Sequence, residues 1–316
     1  MSYSTVESMG ALSNILHIKY LPRAARIHFL PASILPFALG TAFAARAGYD
    51  IRLSKLIPAS VGIASAHLSG NLFNDLFDYK SGADGVSTGK SPFFGGSGVI
   101  QGNVMSVFEV SVFALIFLTI ALICGLAVIL TTESKFLSGV IAAAAILTVE
   151  YTAPPLRLAY RRMGEILIFM LFGILPAMGG FYIFSQRITL HSFQLALPLS
   201  FLIFSVIICN EIPDSSADAA AGKKNLVSLI KAKNGFILYG VSVLASLLAF
   251  THLISNGVMP NAAAAAAVLY IPALAVTIML HSFRGGLKTA TLASAVTVIT
   301  HFLIGAYMIL NILISK

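Results

Sequence analysis

Apolar runs of about twenty residues recur along nearly the whole chain, each long enough for an α-helix to cross the hydrocarbon core of a bilayer. Lipid offers no hydrogen bonds, so a crossing segment must satisfy its own backbone, and a helix does this within one segment. The spacing predicts nine such helices, over approximately 24–45, 55–77, 106–131, 136–152, 164–185, 190–212, 234–256, 262–282 and 288–313. With 58% hydrophobic and only 10% charged residues among 316, the chain reads as an all-α polytopic membrane protein, and a soluble globular fold is excluded. No linker or shift of composition divides it, so residues 1–316 are expected to form a single membrane-embedded domain.

An odd number of spans puts the termini on opposite sides. A cytoplasmic N-terminus places 14 of the 20 Lys and Arg in inside segments and 6 outside, the asymmetry typical of cytoplasmic loops. The N-terminus is therefore expected inside and the C-terminus outside, in the inner or plasma membrane if the chain is bacterial. The first twenty residues carry no compact apolar core behind a basic start, so the first helix is expected to insert as part of the mature protein. The net charge of +8 then reflects topology, and nothing suggests nucleic acid. Cys124 and Cys209 both lie in apolar runs and read as small core residues, not as a disulfide. The alanine runs at 142–145 and 262–267 suit close helix packing.

Two of the predicted helices end in acids. The second runs into NLFNDLFDYKSGAD, residues 71–84, which carries Asp75, Asp78 and Asp84. The sixth runs into CNEIPDSSADAAAGKKN, residues 209–225, which carries Glu211, Asp214 and Asp218. At about 100° per residue, Asn74, Asp75 and Asp78 share one helix face, and Asn71 and His67 continue it back into the membrane. Asp214 and Asp218 lie about 40° apart if the helix passes Pro213, a residue that can end or kink it. The clusters sit four spans apart on helices of the same direction. That pattern reads as a parallel internal repeat, approximately 22–160 and 161–284, with a last helix over 286–313. Two four-helix units folded around one axis would point both clusters at one central cavity, on the cytoplasmic side.

An ionised side chain deep in a bilayer costs on the order of 3 kcal/mol, and like charges converging on one cavity also repel. One acid can simply protonate; several at ligand spacing, with Asn beside them, suit a divalent cation. Oxygen-only ligands select a hard ion, Mg2+ before Ca2+ or Mn2+. Mg2+ typically bridges a few carboxylates to substrate phosphates, so the two clusters suggest two Mg2+ ions and a diphosphate between them. The expected metal set is Asn74, Asp75, Asp78, Asp84, Glu211, Asp214 and Asp218. Lys90, Lys223 and Lys224 follow the clusters, and Arg157, Arg161 and Arg162 lie between the fourth and fifth spans; these can clamp phosphate oxygens. A phosphate head and a greasy tail fit such a site, which makes an isoprenyl diphosphate the obvious ligand.

These stretches resemble those of a known family. NDLFDYKSGAD resembles the first aspartate-rich motif of the UbiA superfamily of intramembrane prenyltransferases, and NEIPDSSADAAAGKKNLV resembles the second. YTAPPLRLAYRRMGEI, 151–166, resembles the segment between spans 4 and 5 in the same superfamily. SPFFGGSGVIQGN, 91–103, is similar to the loop after the first motif in the menaquinone-pathway branch, the 1,4-dihydroxy-2-naphthoate prenyltransferases. The resemblance covers about residues 20–310. It implies a UbiA-like bundle of nine helices in the membrane lipid and Mg2+-dependent transfer of a prenyl group from an isoprenyl diphosphate to an aromatic acceptor, in quinone or prenylated-lipid biosynthesis. Asp75, Asp78, Asp214 and Asp218 are then the central catalytic acids. Asn71, Asn74, Lys90, Tyr151, Arg157, Arg161, Asn210, Lys223 and Lys224 are the expected substrate contacts. One departure is informative. Many members place the third acid of the first motif four residues after the second, where this chain has Gly82; here it comes six later, at Asp84, as in the menaquinone branch. The implied reaction ionises the allylic C–O bond, lets an electron-rich ring attack the carbocation and then releases a proton, whose acceptor is open.

Two other functions fit parts of the pattern. A UbiA-type terpene cyclase would use the same ionisation without an acceptor, and a cation transporter would use the acids as an ion path. Several single residues have plain readings: His67 as a core histidine, Glu150 as an interfacial acid, Glu165 as a favourable charge in a first helical turn, and Tyr151 and Tyr160 as interface anchors or shields for a carbocation.

Overall fold

The computed structural model describes residues 17–83, 91–282 and 286–314. Among these residues the regular structure is helical, and the one strand-like feature is an isolated bridge between Arg161 and Lys224. Nine principal helical segments follow in order: α1 Pro31–Arg46, α2 Leu53–Ser81, α3 Val107–Thr132, α4 Lys135–Glu150, α5 Gly164–Ser185, α6 Leu190–Ala220, α7 Gly235–Ser255, α8 Asn261–His281 and α9 Leu287–Ile314.

Their ends follow local chemistry. Ser106 and Glu109 form a capping box at the start of α3, Thr189 and Ser192 do the same for α6, and the Ser134 hydroxyl accepts the Leu137 amide at the start of α4. Gly82, at φ 82°, stops α2 in the left-handed conformation that a glycine adopts without penalty. Pro213 does not end α6, which runs on to Ala220. Proline forfeits one backbone hydrogen bond, and a helix packed among others tolerates that loss. The sequence expectation that this helix closes near residue 212 is thereby corrected, and Asp214 and Asp218 sit on α6 itself. At the other end of the chain the first expected helix, 24–45, is broken. His17–Phe29 is a run of short turns that meets α1 at 53°, with Arg26 at φ 48° where the chain turns.

By length and apolarity, six helices among the described residues can cross a membrane: α3, α5, α6, α7 with its preceding turn, α8 and α9. The bent pair His17–Phe29 with α1 makes a seventh. α2 and α4 fall outside that count. α4 has 16 residues, and α2 carries His67, Asn71, Asn74, Asp75 and Asp78 within its 29. The chain is an integral membrane protein.

Side chains are absent from the tightest crossings. A Cβ on Gly40 of α1 would lie 1.8 Å from the Ala177 carbonyl oxygen of α5, and one on Gly180 of α5 would lie 2.2 Å from the Phe37 carbonyl. α1 and α5 therefore touch backbone to backbone. The largest apolar cluster joins α1 to α6, α7, α8 and α9 through Leu39, Leu199, Tyr239, Phe250, Tyr270 and Met308. A second cluster seats the N-terminal turns on α2, α3 and the segment at 99–105, through Ala24, Ala25, Leu72, Leu76, Ile100 and Met105. This second cluster matters for function, because it fixes what lies over the acidic end of α2.

Candidate active site

The acidic ends of α2 and α6 face one cavity. Asn74 and Asp78 line it from α2; Asn210, Glu211, Asp214 and Asp218 line it from α6. Arg26, Phe93, Phe94, Gly95, Gly96, Tyr151 and Lys223 also line it, with Ala83, Ile207 and Ala217 between them. The i, i+4 spacing of Asn74 with Asp78 and of Asp214 with Asp218 puts each pair on one face, as the sequence reading requires.

Each carboxylate has a defined set of partners. Asp75 lies just behind the wall, 2% exposed. It is ion-paired with Arg26 and accepts the Ser97 amide at 3.2 Å. Asp78 Oδ1 accepts the Tyr160 hydroxyl at 2.7 Å; its Oδ2 accepts Asn74 Nδ2 at 3.0 Å and Lys223 Nζ at 3.2 Å. Asp214 accepts the Gly95 amide at 2.8 Å. Asp218 accepts Asn225 Nδ2 at 2.9 Å and lies 3.8 Å from Lys223 Nζ. Lys223 thus bridges an acid of the first motif to an acid of the second. Burial alone would lower its pKa, yet Asp78 and Asp218 hold it well above 10.5, so the ammonium stays charged. Burial, with Asp78 beside it, pushes the Tyr160 hydroxyl up to about 12, which keeps that hydroxyl a donor.

The loops between helices supply parts that helical spacing does not reveal. Gly95, Gly96 and Gly98 all have φ near +70°, a conformation that glycine reaches freely. It lets the segment double back so that the amides of Gly95 and Ser97 reach an acid of each motif. Arg23 Nε holds the same segment by donating to the Ser97 carbonyl at 3.0 Å. Arg26 and the two amides were the functional groups missing from the sequence reading, and only the glycine run FFGGSG signalled the amides. Tyr160, read from the sequence as an interface anchor or a carbocation shield, donates instead to Asp78.

Other expected site residues have different surroundings. Asn71 donates to the Ala25 carbonyl and braces the N-terminal turns. Asn210 accepts from Ser294 of α9. The Arg157 guanidinium stacks on the Tyr160 ring, 4.1 Å from its centroid, and Arg157 is not among the cavity-lining residues. Arg161, Arg162 and Lys224 are exposed, away from the cavity; the Arg162 amide bonds the Lys224 carbonyl, so backbone there ties the two loops together. Asp84 and Lys90 lie outside the described residues. Glu150 accepts the Leu156 amide and closes its own loop. Glu165 sits in the first turn of α5, as the sequence reading has it, and is there fully buried, accepting the Leu226 amide of another loop. His67 is buried, bonds Ser33 at 2.9 Å and meets the Phe172 ring edge-on. It lines a separate apolar chamber bounded by α1, α2, α3, α4 and α5, with Gly62, Ala66, Ala144 and Leu175 in its wall.

The donor set was tested for a divalent cation. Among the described residues no three His, Cys, Asp or Glu side chains stand close enough to hold an ion alone. The cavity nonetheless offers oxygen donors from both helices, and Glu211 Oε2 is buried there without a hydrogen-bond partner. That set fits a hard ion which takes one or two carboxylates and completes its shell from a phosphorylated ligand.

A helical membrane bundle that gathers two acid motifs and a largely buried lysine at one cavity, with an apolar chamber about two turns away along α2, has the form of an intramembrane enzyme for amphipathic substrates. Residues 33–289 match the UbiA prenyltransferase family, and the chain belongs to that family. It is a prenyltransferase by that membership. Among curated relatives it is 26% identical over 253 residues to 1,4-dihydroxy-2-naphthoate octaprenyltransferase of Bacillus subtilis (strain 168), covering 79% of this chain and 76% of that protein. It is 26% identical over 220 residues to UbiA prenyltransferase domain-containing protein 1 of Dictyostelium discoideum, covering 68% of this chain and 65% of that one, so the match spans a little under two thirds of that relative. The fold is shared with a UbiA homologue from Archaeoglobus fulgidus bound to GPP and Mg2+, at a TM-score of 0.58 and 18% identity, over 90% of this chain and 99% of the other.

Proposed function

We propose that the protein transfers a prenyl group from an isoprenyl diphosphate to an aromatic acceptor resembling 1,4-dihydroxy-2-naphthoate, in the making of a quinone or a related prenylated lipid. One observation carries the reading: acids of both motifs share a single cavity, and Lys223 joins them across it. The naphthoate prenyltransferase relative supports the acceptor class. The neighbour bound to GPP and Mg2+ supports the donor class and the metal.

In this reading Asp78, Glu211, Asp214 and Asp218 would hold Mg2+, with Asn74 beside them, and Asp75 backs the site through Arg26. Bound there, Mg2+ supplies electrophilic stabilisation of the diphosphate leaving group. Lys223 and Arg26 are the cavity cations that receive phosphate oxygens. The prenyl chain runs from the cavity into the apolar chamber along α2 and α4. Phe93, Phe94 and the glycine segment cover the cavity and keep water from the allylic cation. The C–O bond breaks with its electron pair on the diphosphate, the ring carbon attacks, and the ring proton leaves. Gathering the acids at one end of α2 and α6 argues against an ion path through the membrane.

The proposed architecture is a nine-span bundle built from two repeats, about 22–160 and 161–284, plus α9. The pairing of α2 with α3 and of α6 with α7 supports the repeat. The proposed orientation has the N-terminus and the cavity on the cytoplasmic side. The test is conversion by purified protein in liposomes, with prenyl diphosphate, Mg2+ and either 1,4-dihydroxy-2-naphthoate or 4-hydroxybenzoate. Prenylated naphthoate is the expected product. A cyclic hydrocarbon or alcohol formed without any acceptor would replace this reading with the cyclase.

A further inference from the structure

We propose that Tyr160 is the positioning residue of the diphosphate site and that Arg157 acts on substrate only through it. The inference rests on the prenyl-diphosphate reading above. An ionised carboxylate offers about four acceptor positions. In Asp78 three donors occupy them: Asn74 and Lys223 on Oδ2, and the Tyr160 hydroxyl on Oδ1. The fourth position is on Oδ1, and Tyr160 determines where it points. Because Tyr160 is anchored on the loop after α4, it also fixes the carboxylate from outside α2, which no residue of α2 can do for its own terminal turn.

The tyrosine is itself held at two points. Ser81 Oγ lies 2.6 Å from its hydroxyl and 3.0 Å from the Asp78 carbonyl; with the Tyr160 proton committed to Asp78 Oδ1, the single Ser81 proton goes to one of those two oxygens. The Arg157 guanidinium covers the ring at 4.1 Å, and Lys223 Nζ lies 5.8 Å from the same centroid. The backbone supports this stack: the Tyr160 amide bonds the Arg157 carbonyl at 2.9 Å. One ring therefore sets Asp78 through its hydroxyl and sits beside the bridging lysine through its face. Arg157 covers the ring and is not among the residues that line the cavity, where a residue that clamps phosphate directly would be.

The test uses full-length protein in detergent and reads Mn2+ affinity by electron paramagnetic resonance, with inorganic pyrophosphate present, alongside the thermal midpoint. Tyr160→Phe keeps the ring and removes the donor. It is expected to weaken Mn2+ binding about tenfold, the scale of a hydrogen bond to a charged group, and to lower the midpoint of metal-free protein by only the few degrees that one such bond is worth. Arg157→Gln is expected to weaken binding in the wild-type background and to add nothing in a Tyr160→Leu background, the non-additivity of residues acting through one another. An unchanged affinity in Tyr160→Phe overturns the positioning role. A full Arg157→Gln effect in Tyr160→Leu shows Arg157 working on its own and overturns the second half. If wild-type protein binds no Mn2+ with pyrophosphate, the reading of the site as a diphosphate site fails and takes the inference with it.

Discussion

Replacing Lys223 with methionine removes one charge and keeps most of the side chain's volume. The ammonium lies 3.2 Å from Asp78 and 3.8 Å from Asp218, so its loss leaves two buried carboxylates without the cation they share. Breaking a buried ion pair by deleting one partner costs about 3–5 kcal/mol, because the remaining charge stays desolvated. At roughly 2–4 °C per kcal/mol, that is a drop of about 6 °C or more in the thermal midpoint of metal-free protein. Millimolar Mg2+ brings a replacement cation to the same acids and is expected to recover a large part of the drop, while turnover stays low because a phosphate contact is gone. The pH dependence follows from sign. A lysine whose folded pKa is raised contributes its full stabilisation below 10.5 and loses it only as pH rises through the higher folded value. The gap between wild type and Lys223→Met should therefore stay full up to about pH 9 and narrow on the acid side, where the stranded carboxylates of the variant take up protons. Scanning fluorimetry in detergent, with EDTA or with Mg2+, measures all of this. A midpoint that does not move in EDTA, or a drop that Mg2+ leaves intact, would refute the bridging role.

Asp214→Ala should lower turnover by at least about a hundredfold while the protein remains monodisperse, since only the Gly95 amide loses a partner. Asp75→Asn should instead be visible in stability, because a largely buried ion pair with Arg26 is broken; size-exclusion yield and the thermal midpoint report it. Lys224→Ala should leave the KM for the prenyl diphosphate unchanged, as that side chain is exposed away from the cavity, and a several-fold rise would place it in the clamp after all. Gly40→Val should abolish recovery of folded protein from membranes, because a Cβ at that position meets a backbone carbonyl that cannot yield.

What the sequence revealed and what it hid divide along one physical line. Asp75, Asp78, Asp214 and Asp218 were legible because helical periodicity is local and converts spacing directly into a shared face. The count of long apolar helices was legible in part, since α3, α5, α6 and α7 follow directly from composition and length. α2 resists that test because its functional face dilutes its apolarity. Arg26 with Asp75, Tyr160 with Asp78 and Gly95 with Asp214 join residues 49, 82 and 119 positions apart, and no local pattern encodes such pairings. Arg26 read as a topology signal because its charge was visible and its partner was not. The break before α1 did have local signals that a count of apolar residues passes over: Arg26 and His28 interrupt the run, and Pro31 opens α1 at the position a proline favours.

The bare crossing of α1 and α5 has a mechanical consequence. Two helices that meet carbonyl against glycine have no side chains to flex between them, so they can shift only as one piece. The opposite flank of the chamber is α4, where Leu137 is the sole buried residue within the helix and Phe136 and Ile146 face outward. The chamber thus has one stiff side and one compliant side. If the chamber takes the hydrocarbon tail of the proposed donor, the widening it demands falls on the compliant one.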